Sequence, residues 1–203
     1  MRPDRSGPVA GVVLAAGASV RMGANKLLFE IEGEVLVHRA VRRASAAGLN
    51  PVIVVLGHEA ERVRLTLADL RCQAVVNPAY ARGVHESLRV GIGAVPPDAL
   101  AAVVMLADMP FVTSAMIETL VERFRGGDAP LVVSEYGHVN APPVLYGRAL
   151  FDELRAVDGE GCGKRVVQRH SHEAMTVSWP EEALSDLDVP EDVDRLQAKA
   201  AEP

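Results

Sequence analysis

Cysteine is scarce in this chain: Cys72 and Cys162 lie far apart and form no CxxC pair. That argues against a disulfide framework and suits reduced thiols in a cytoplasmic protein. A basic excess is also missing. Lys plus Arg number 21 against 27 for Asp plus Glu, a formal net charge of -6, so there is no electrostatic footprint for broad binding of nucleic acid or an anionic membrane. An anionic ligand has to meet a local positive site instead. No apolar run reaches the roughly 18 residues of a membrane span, and the opening MRPDRSGP has no long apolar stretch behind its charges. Repeats at solenoid spacing, low-complexity tracts and Pro/Gly/Ser-rich linkers are likewise lacking. With 203 residues and 49% hydrophobic content, the expectation is one domain with a sizeable core, residues 1–203.

What the chain does have is an alternation of two periods. Val9 to Ala15, Pro51 to Leu56, Cys72 to Asn77 and Ala101 to Leu106 are short, Val-rich and continuous, as buried parallel strands are. Between them Val37, Val41 and Ala44 share a helical face that stops at Gly48, and Val63 with Leu67 continues the pattern. Ile117, Leu120, Val121 and Phe124 fall on one helical face behind the N-cap candidates Thr113 and Ser114. A β-α-β-α series of this kind predicts an α/β fold, Rossmann-like, with three layers α/β/α and a mostly parallel central sheet. The second half is less regular. Short strands are expected at Leu131 to Ser134, Val144 to Tyr146 and Met175 to Ser178, and helices at Ala149 to Ala156 and Pro190 to Ala201, forming a small C-terminal lobe over the sheet.

Ligands in such folds lie outside the carboxyl ends of the strands, which directs attention to VVLAAGASVRMGANKLL, Val12 to Leu28. Strand one ends near Ala15, and Ala16, Gly17, Ala18 and Ser19 leave the backbone bare enough to approach a ligand and present successive N-H groups. Arg21 and Lys26 add positive charge. The GK[ST] of a Walker A loop is absent and GxGxxG does not fit. On residues alone the stretch is either a phosphate site or a plain turn with solvated charges.

The spelling is more specific. LAAGASVRMGANKLL resembles the LAxGxSxRMGxxK signature of nucleotidyltransferases that act on sugar phosphates and cofactors, and most of all the molybdenum cofactor cytidylyltransferases and their guanylyltransferase relatives, the MobA-like NTP transferases. Further matches follow in order along nearly the whole chain. GVHESLRVG (Gly83 to Gly91) resembles G-x-x-x-SL-x-x-G, and LADMP (Leu106 to Pro110) resembles L-x-DMP. PPVLYGRALF (Pro142 to Phe151) resembles the PVLF segment, and DLDVPEDVDRL (Asp186 to Leu196) resembles the closing DIDTPEDL. His85 and Glu86 depart from the family pattern, which more often has small or hydroxyl residues there.

The resemblance implies a nucleotide-binding part at about 8–125 and an acceptor-binding part at about 126–203. It implies that Leu14, Ala15, Ala16, Gly17, Ala18 and Ser19 wrap a triphosphate, with Arg21 and Lys26 as its catalytic cations and Asp108 holding Mg2+. A second metal ligand is implied near the closing motif, where Asp186 and Asp188 both qualify and Asp188 is preferred. Ser87 is expected to contact the nucleotide, its alternative being to serve its own backbone. Asn140 and Pro143 fall where the family shapes the acceptor pocket, and DGEGCGKRVV offers Lys164 or Arg165 as a base for the acceptor's phosphate or pterin. The Ala15-Ala16-Gly17 spelling resembles the cytidylyl branch, where the guanylyl branch reads LAGG, so the implied donor is CTP rather than GTP. The implied acceptor is molybdopterin-bound molybdenum cofactor, for a recipient of the xanthine dehydrogenase type. Two alternatives remain: the same chemistry with GTP or another phosphorylated acceptor, and a non-catalytic carrier of the cofactor. His170 and His172 lack metal-ligand company, Cys162 lacks a histidine partner as a nucleophile, and Trp179 reads as packing.

Overall fold

The computed structural model describes residues 4–18, 24–159 and 161–184. The four Val-rich segments form β1 (Val9–Ala15), β4 (Val52–Leu56), β5 (Gln73–Val76) and β6 (Ala101–Leu106). β1 lies parallel between β4 and β6, and β4 lies parallel to β5. Every residue of β4 is buried, which is why the run is continuous: both faces are covered by helices. Val13, Val54 and Val103 face one core with α1 (Leu36–Ala46) and α4 (Ser114–Gly126). Val12, Ile53 and Val55 face a second core with α3 (Val84–Gly93), α5 (Phe151–Ala156) and α6 (Cys162–Arg169). Full burial of such a side chain contributes about 1.5–3 kcal/mol, so the two cores hold the three layers together.

The helix ends expected at Gly48 and Thr113 hold, whereas Leu67, expected on one helical face with Val63, lies past the end of that helix and packs into the core from a turn. α1 ends before Gly48, which takes the positive φ of 76° that glycine tolerates. Thr113 caps α4, its side chain accepting from the Met116 N-H at 3.2 Å. α2 (Ala60–Leu65) buries Val63. A small hairpin, β2 (Glu30–Ile31) with β3 (Glu34–Val35), precedes α1. Its turn residues Glu32 and Gly33 both have positive φ, the geometry that matches strand twist in two-residue turns.

The second half is where pattern and structure part. β7 (Leu131–Tyr136), β8 (Val139–Gly147) and β9 (Met175–Trp179) complete one seven-stranded sheet in the order β5-β4-β1-β6-β8-β7-β9. The lobe is thus built on the same sheet as the first half. β8 is antiparallel to both β6 and β7, and β7 is parallel to β9, so β8 alone runs against the others. It is longer than the expected strand because Pro142-Pro143 sits inside it, where the β7/β8 register shifts between Val133 and Ser134. A bulge accepts residues that cannot donate to a ladder. Side chains of β7 meet the carbonyls there, Ser134 Oγ donating to Pro143 O at 2.7 Å and Tyr136 OH to Pro142 O at 3.0 Å. α5 continues from a short 3-10 turn, Arg148–Leu150. The helix expected at Pro190 to Ala201 lies outside the described residues.

α6 is fastened to α5 by His170, whose Nε2 lies 2.7 Å from Glu153 Oε2 and Nδ1 3.4 Å from Glu173 Oε1. Arg169 bonds the other Glu153 oxygen at 2.7 Å. The Glu153 hydrogen bond raises the His170 pKa above its ordinary value, against a smaller effect of burial. A raised folded-state pKa gives stability that is fully present below the unfolded value and fades as pH rises through the folded one. The gap in thermal midpoint between the wild type and His170→Ala should therefore be wider at about pH 5.5 than at about pH 8. An equal gap at both would show that the ring acts only by packing.

Candidate active site

The carboxyl ends of β1 and β6 place the charged groups. β1 ends at Ala15, and the Ala107 N-H donates to Leu14 O at 3.1 Å just past β6, so Asp108 leaves the sheet at its lip. Lys26 returns to that lip on a 3-10 turn, Lys26–Leu28, set by Asn25, whose buried side chain accepts from the Leu27 N-H at 3.2 Å. Lys26 Nζ then lies 2.7 Å from Asp108 Oδ2, with side chains 13% and 20% exposed. A cation and an anion are thus held together at the rim of a half-open cleft, where both can reach a ligand. The small-residue loop is pinned from the other side by the His58 N-H, which donates to Ala16 O at 3.2 Å.

Leu14, Ala15, Ala16, Gly17, Lys26, Ser87 and Asp108 all line one cleft of about 260 Å³. Ala18 follows Gly17 without lining its wall, and Ser19, Arg21, Asp186 and Asp188 lie outside the described residues. Ser87, in the first turns of α3, bonds Asn77 rather than its own backbone, with Asn77 Nδ2 3.0 Å from its Oγ. His85 and Glu86 are buried beside it, but neither is part of the cleft wall among the described residues. Glu86 sits between Arg82 and Arg89, at 3.2 and 3.4 Å.

A second cavity of about 210 Å³ opens beside the first, sharing Leu14, Val84 and Leu106 with it. Asn140 and Lys164 are on its wall, which is otherwise mostly apolar. Pro142 lines it, whereas Pro143 is buried in the bulge. Arg165 points elsewhere: it is exposed and donates to Asp158 O at 2.9 Å. Cys162 is buried on the cavity wall, and burial pushes its thiol up, which keeps it protonated and a poor nucleophile. Tyr146 and Asn77 are additions that motif reading missed. Burial pushes the Tyr146 phenol up, and its OH donates to Gly163 O at 3.3 Å. Asn77, expected as the last residue of the Cys72 to Asn77 strand, instead directly follows β5, and a polar residue closing an apolar run was its signal. Among the described residues no group of three or more His, Cys, Asp or Glu side chains is placed to hold a metal. Nor is any helix among them long and apolar enough to cross a membrane.

The sheet thus opens a small-residue loop, a lysine and an aspartate onto one cleft at the carboxyl ends of its strands, where ligands lie in open α/β folds. Comparison gives the family: residues 11–174 match the MobA-like NTP transferase domain, and the chain belongs to that family. A probable molybdenum cofactor guanylyltransferase of Opitutus terrae is 30% identical over 199 residues, covering 95% of this chain and 96% of that one. The bifunctional protein GlmU of Novosphingobium aromaticivorans is 32% identical over 154 residues, 74% of this chain but 33% of its own. This chain thus spans about a third of the length of that relative. Among solved structures, Rv0371c from Mycobacterium tuberculosis H37Rv superposes with a TM-score of 0.84 at 28% identity, covering 94% of this chain and 98% of that one. A further structure of Rv0371c is a complex with manganese, with a TM-score of 0.78 at 26% identity and the same coverage.

Proposed function

We propose that this enzyme transfers CMP from CTP to the terminal phosphate of molybdopterin-bound molybdenum cofactor and releases pyrophosphate, with Mg2+ as its metal. The observation that carries the reading is the Lys26–Asp108 pair, 2.7 Å apart, on a phosphate-sized cleft that opens directly onto a second, less polar cavity. The first takes the nucleotide and the second the acceptor.

The chemistry asks for little proton transfer. A phosphate monoester has its second pKa near about 6 and is largely dianionic at neutral pH, so an acceptor oxygen attacks the α-phosphorus without a strong base. One P-O bond forms there as the bond to pyrophosphate breaks. The catalytic demand is for positive charge and N-H donors around oxygens that gain charge. Lys26 supplies the first, joined in this reading by Arg21, and the backbone from Ala15 to Ser19 supplies the second. Asn140 and Lys164 orient the acceptor. Asp108 fits a magnesium ligand: it is a hard oxygen donor, part-exposed in the cleft, and Mg2+ binds proteins through one or two carboxylates plus substrate phosphates. Asp188 would be the second carboxylate. Held by Asp108 and Asp188, a bound metal would supply positive charge against the charge that develops on the leaving pyrophosphate. The manganese complex of Rv0371c supports a divalent ion in this fold.

CTP is preferred on the Ala15-Ala16-Gly17 spelling. GTP is the second reading, favoured by the Opitutus terrae relative and its name as a guanylyltransferase. The test is pyrophosphate release by purified protein with Mg2+ and molybdenum cofactor, offering CTP, GTP and ATP separately. Release with CTP alone is expected. Release with GTP keeps the mechanism and reverses the base preference, and release with none, despite tight cofactor binding, moves the carrier to the front.

A further inference from the structure

Asn77 directly follows β5 and is 1% exposed. Its backbone N-H donates to Leu56 O at 2.8 Å, which ties it to the carboxyl end of β4. Its side chain is used at both atoms. Oδ1 accepts from the Ala79 N-H at 2.9 Å, and Nδ2 lies 3.0 Å from Ser87 Oγ. The first contact removes the usual ambiguity of an amide: a backbone N-H only donates, so the atom facing it is the oxygen and the NH2 has to face Ser87. An NH2 also only donates. Ser87 Oγ must therefore accept from Asn77, and its own hydrogen is turned away from it. Among the described residues no acceptor meets that hydrogen, although Ser87 is 4% exposed and lines the nucleotide cleft. A buried hydroxyl without an acceptor is costly, by about 1–3 kcal/mol, unless something in the cleft takes the bond.

We propose that Asn77 is a positioning residue that fixes the Ser87 hydroxyl as a hydrogen-bond donor into the cleft, so that the site selects nucleotides presenting an acceptor oxygen or ring nitrogen at that point. This rests on the reading of the cleft as a nucleoside triphosphate site. Asn77 touches no ligand itself; it acts by occupying the acceptor side of Ser87. It also spans the carboxyl ends of β4 and β5 and the start of α3, so the donor is held by rigid elements.

Asn77→Asp separates direction from shape. Its second carboxylate oxygen, when ionised, can only accept, so it captures the Ser87 hydrogen and leaves the ligand without a donor. Protonated, the introduced carboxyl can donate to Ser87 and release that hydrogen again. Binding of CTP and of GTP with Mg2+, by calorimetry, is compared with wild type at about pH 8 and about pH 5.5, a range that a buried carboxyl's raised pKa reaches. His85 and Glu86, the titratable neighbours on α3, are common to both proteins, and the nucleotide's own titration cancels in the ratio. The preferred nucleotide should bind about ten-fold more weakly to the variant at the higher pH, with the gap narrowing at the lower. Ser87→Ala should lose about ten-fold at both. Wild-type affinity for Asn77→Asp at the higher pH, an equal loss at both, or unchanged affinity for Ser87→Ala overturns the inference. If Asn77→Asp does not fold, Ser87→Ala decides alone. A wild type that binds neither nucleotide overturns the cleft's reading, and this inference with it.

Discussion

Asp108→Ala should lower kcat/KM for nucleotidyl transfer by about 10³-fold, in line with the loss of one aligned electrostatic group from a transition state. The fold should register the change less than the rate does. Asp108 lies beyond the last residue of β6, on the cleft wall, and its pair with Lys26 has side chains 13% and 20% exposed. Loss of one partner costs about 0–1 kcal/mol for an exposed pair and about 3–5 kcal/mol for a buried one, and this pair lies between, at about 2–4 °C of thermal midpoint per kcal/mol. Asp108→Asn refines the result. It keeps a side-chain oxygen toward Lys26 but removes the charge, so an equally inactive Asn variant assigns the role to charge and metal binding, and an active one assigns it to holding Lys26. If either variant retains transfer within ten-fold of wild type, Asp108 is not the catalytic carboxylate. The same pair answers the carrier question: cofactor binding that survives in Asp108→Ala while transfer disappears is the signature of an enzyme.

Gly57→Ala should cost both stability and nucleotide affinity. Gly57 directly follows β4, and a Cβ there would lie 2.6 Å from Tyr80 Cβ, 2.7 Å from Ala16 O and 2.8 Å from Ala16 Cβ. These neighbours are backbone and Cβ atoms, which cannot swing away as a long side chain can. Overpacking of this kind costs about 1–3 kcal/mol, or a thermal midpoint lower by roughly 2–12 °C at this chain length. Ala16 and Tyr80 both line the first cleft, so relief of the clash moves the loop proposed to hold the phosphates. A displacement near 1 Å can cost about 10²-fold in rate. Gly93→Ala is the control: it ends α3 with nothing within 4 Å of an added Cβ, and should be neutral or slightly stabilising. Equal midpoints for the two variants would remove the close approach as an explanation for Gly57.

Much of the first half was legible because β1, β4 and β6 are buried on both faces and the helices on one; β5 reads alike in sequence but is an edge strand, exposed at Gln73 and Val76. β1 and β6 have the bounds their Val-rich runs suggest, and Thr113 and Gly48 mark real helix ends. The second half hid β8, since Pro142-Pro143 reads as a break when its carbonyls and bulge partners are unseen. Ser134 and Tyr136, which satisfy those carbonyls, come from a neighbouring strand, and no local pattern reports a cross-strand bond. Motif spelling singled out Lys26 and Asp108 separately, but their pairing on one cleft was not legible in it. The same limit applies to Asn77, whose importance arises from being placed between two chain-distant backbones and Ser87. Pro143 and Arg165 illustrate the reverse: a motif gives the neighbourhood, and one residue of register decides whether Pro142 or Pro143, Lys164 or Arg165, faces the cavity.

The one reversed strand of the described sheet has a consequence for how the two cavities are framed. Because β8 runs against β6 and β7, the turn at Gly137-His138 emerges on the same edge as the loop at residues 16–18, and Asn140 lines the second cavity just after it. Both turn residues are exposed, and exposed turn tips tolerate insertion well. Lengthening that hairpin would rebuild the second cavity's rim while leaving the β1 and β6 ends untouched. The architecture thus separates the two walls: a change at that hairpin alters the second cavity while the strand ends that frame the first stay in place.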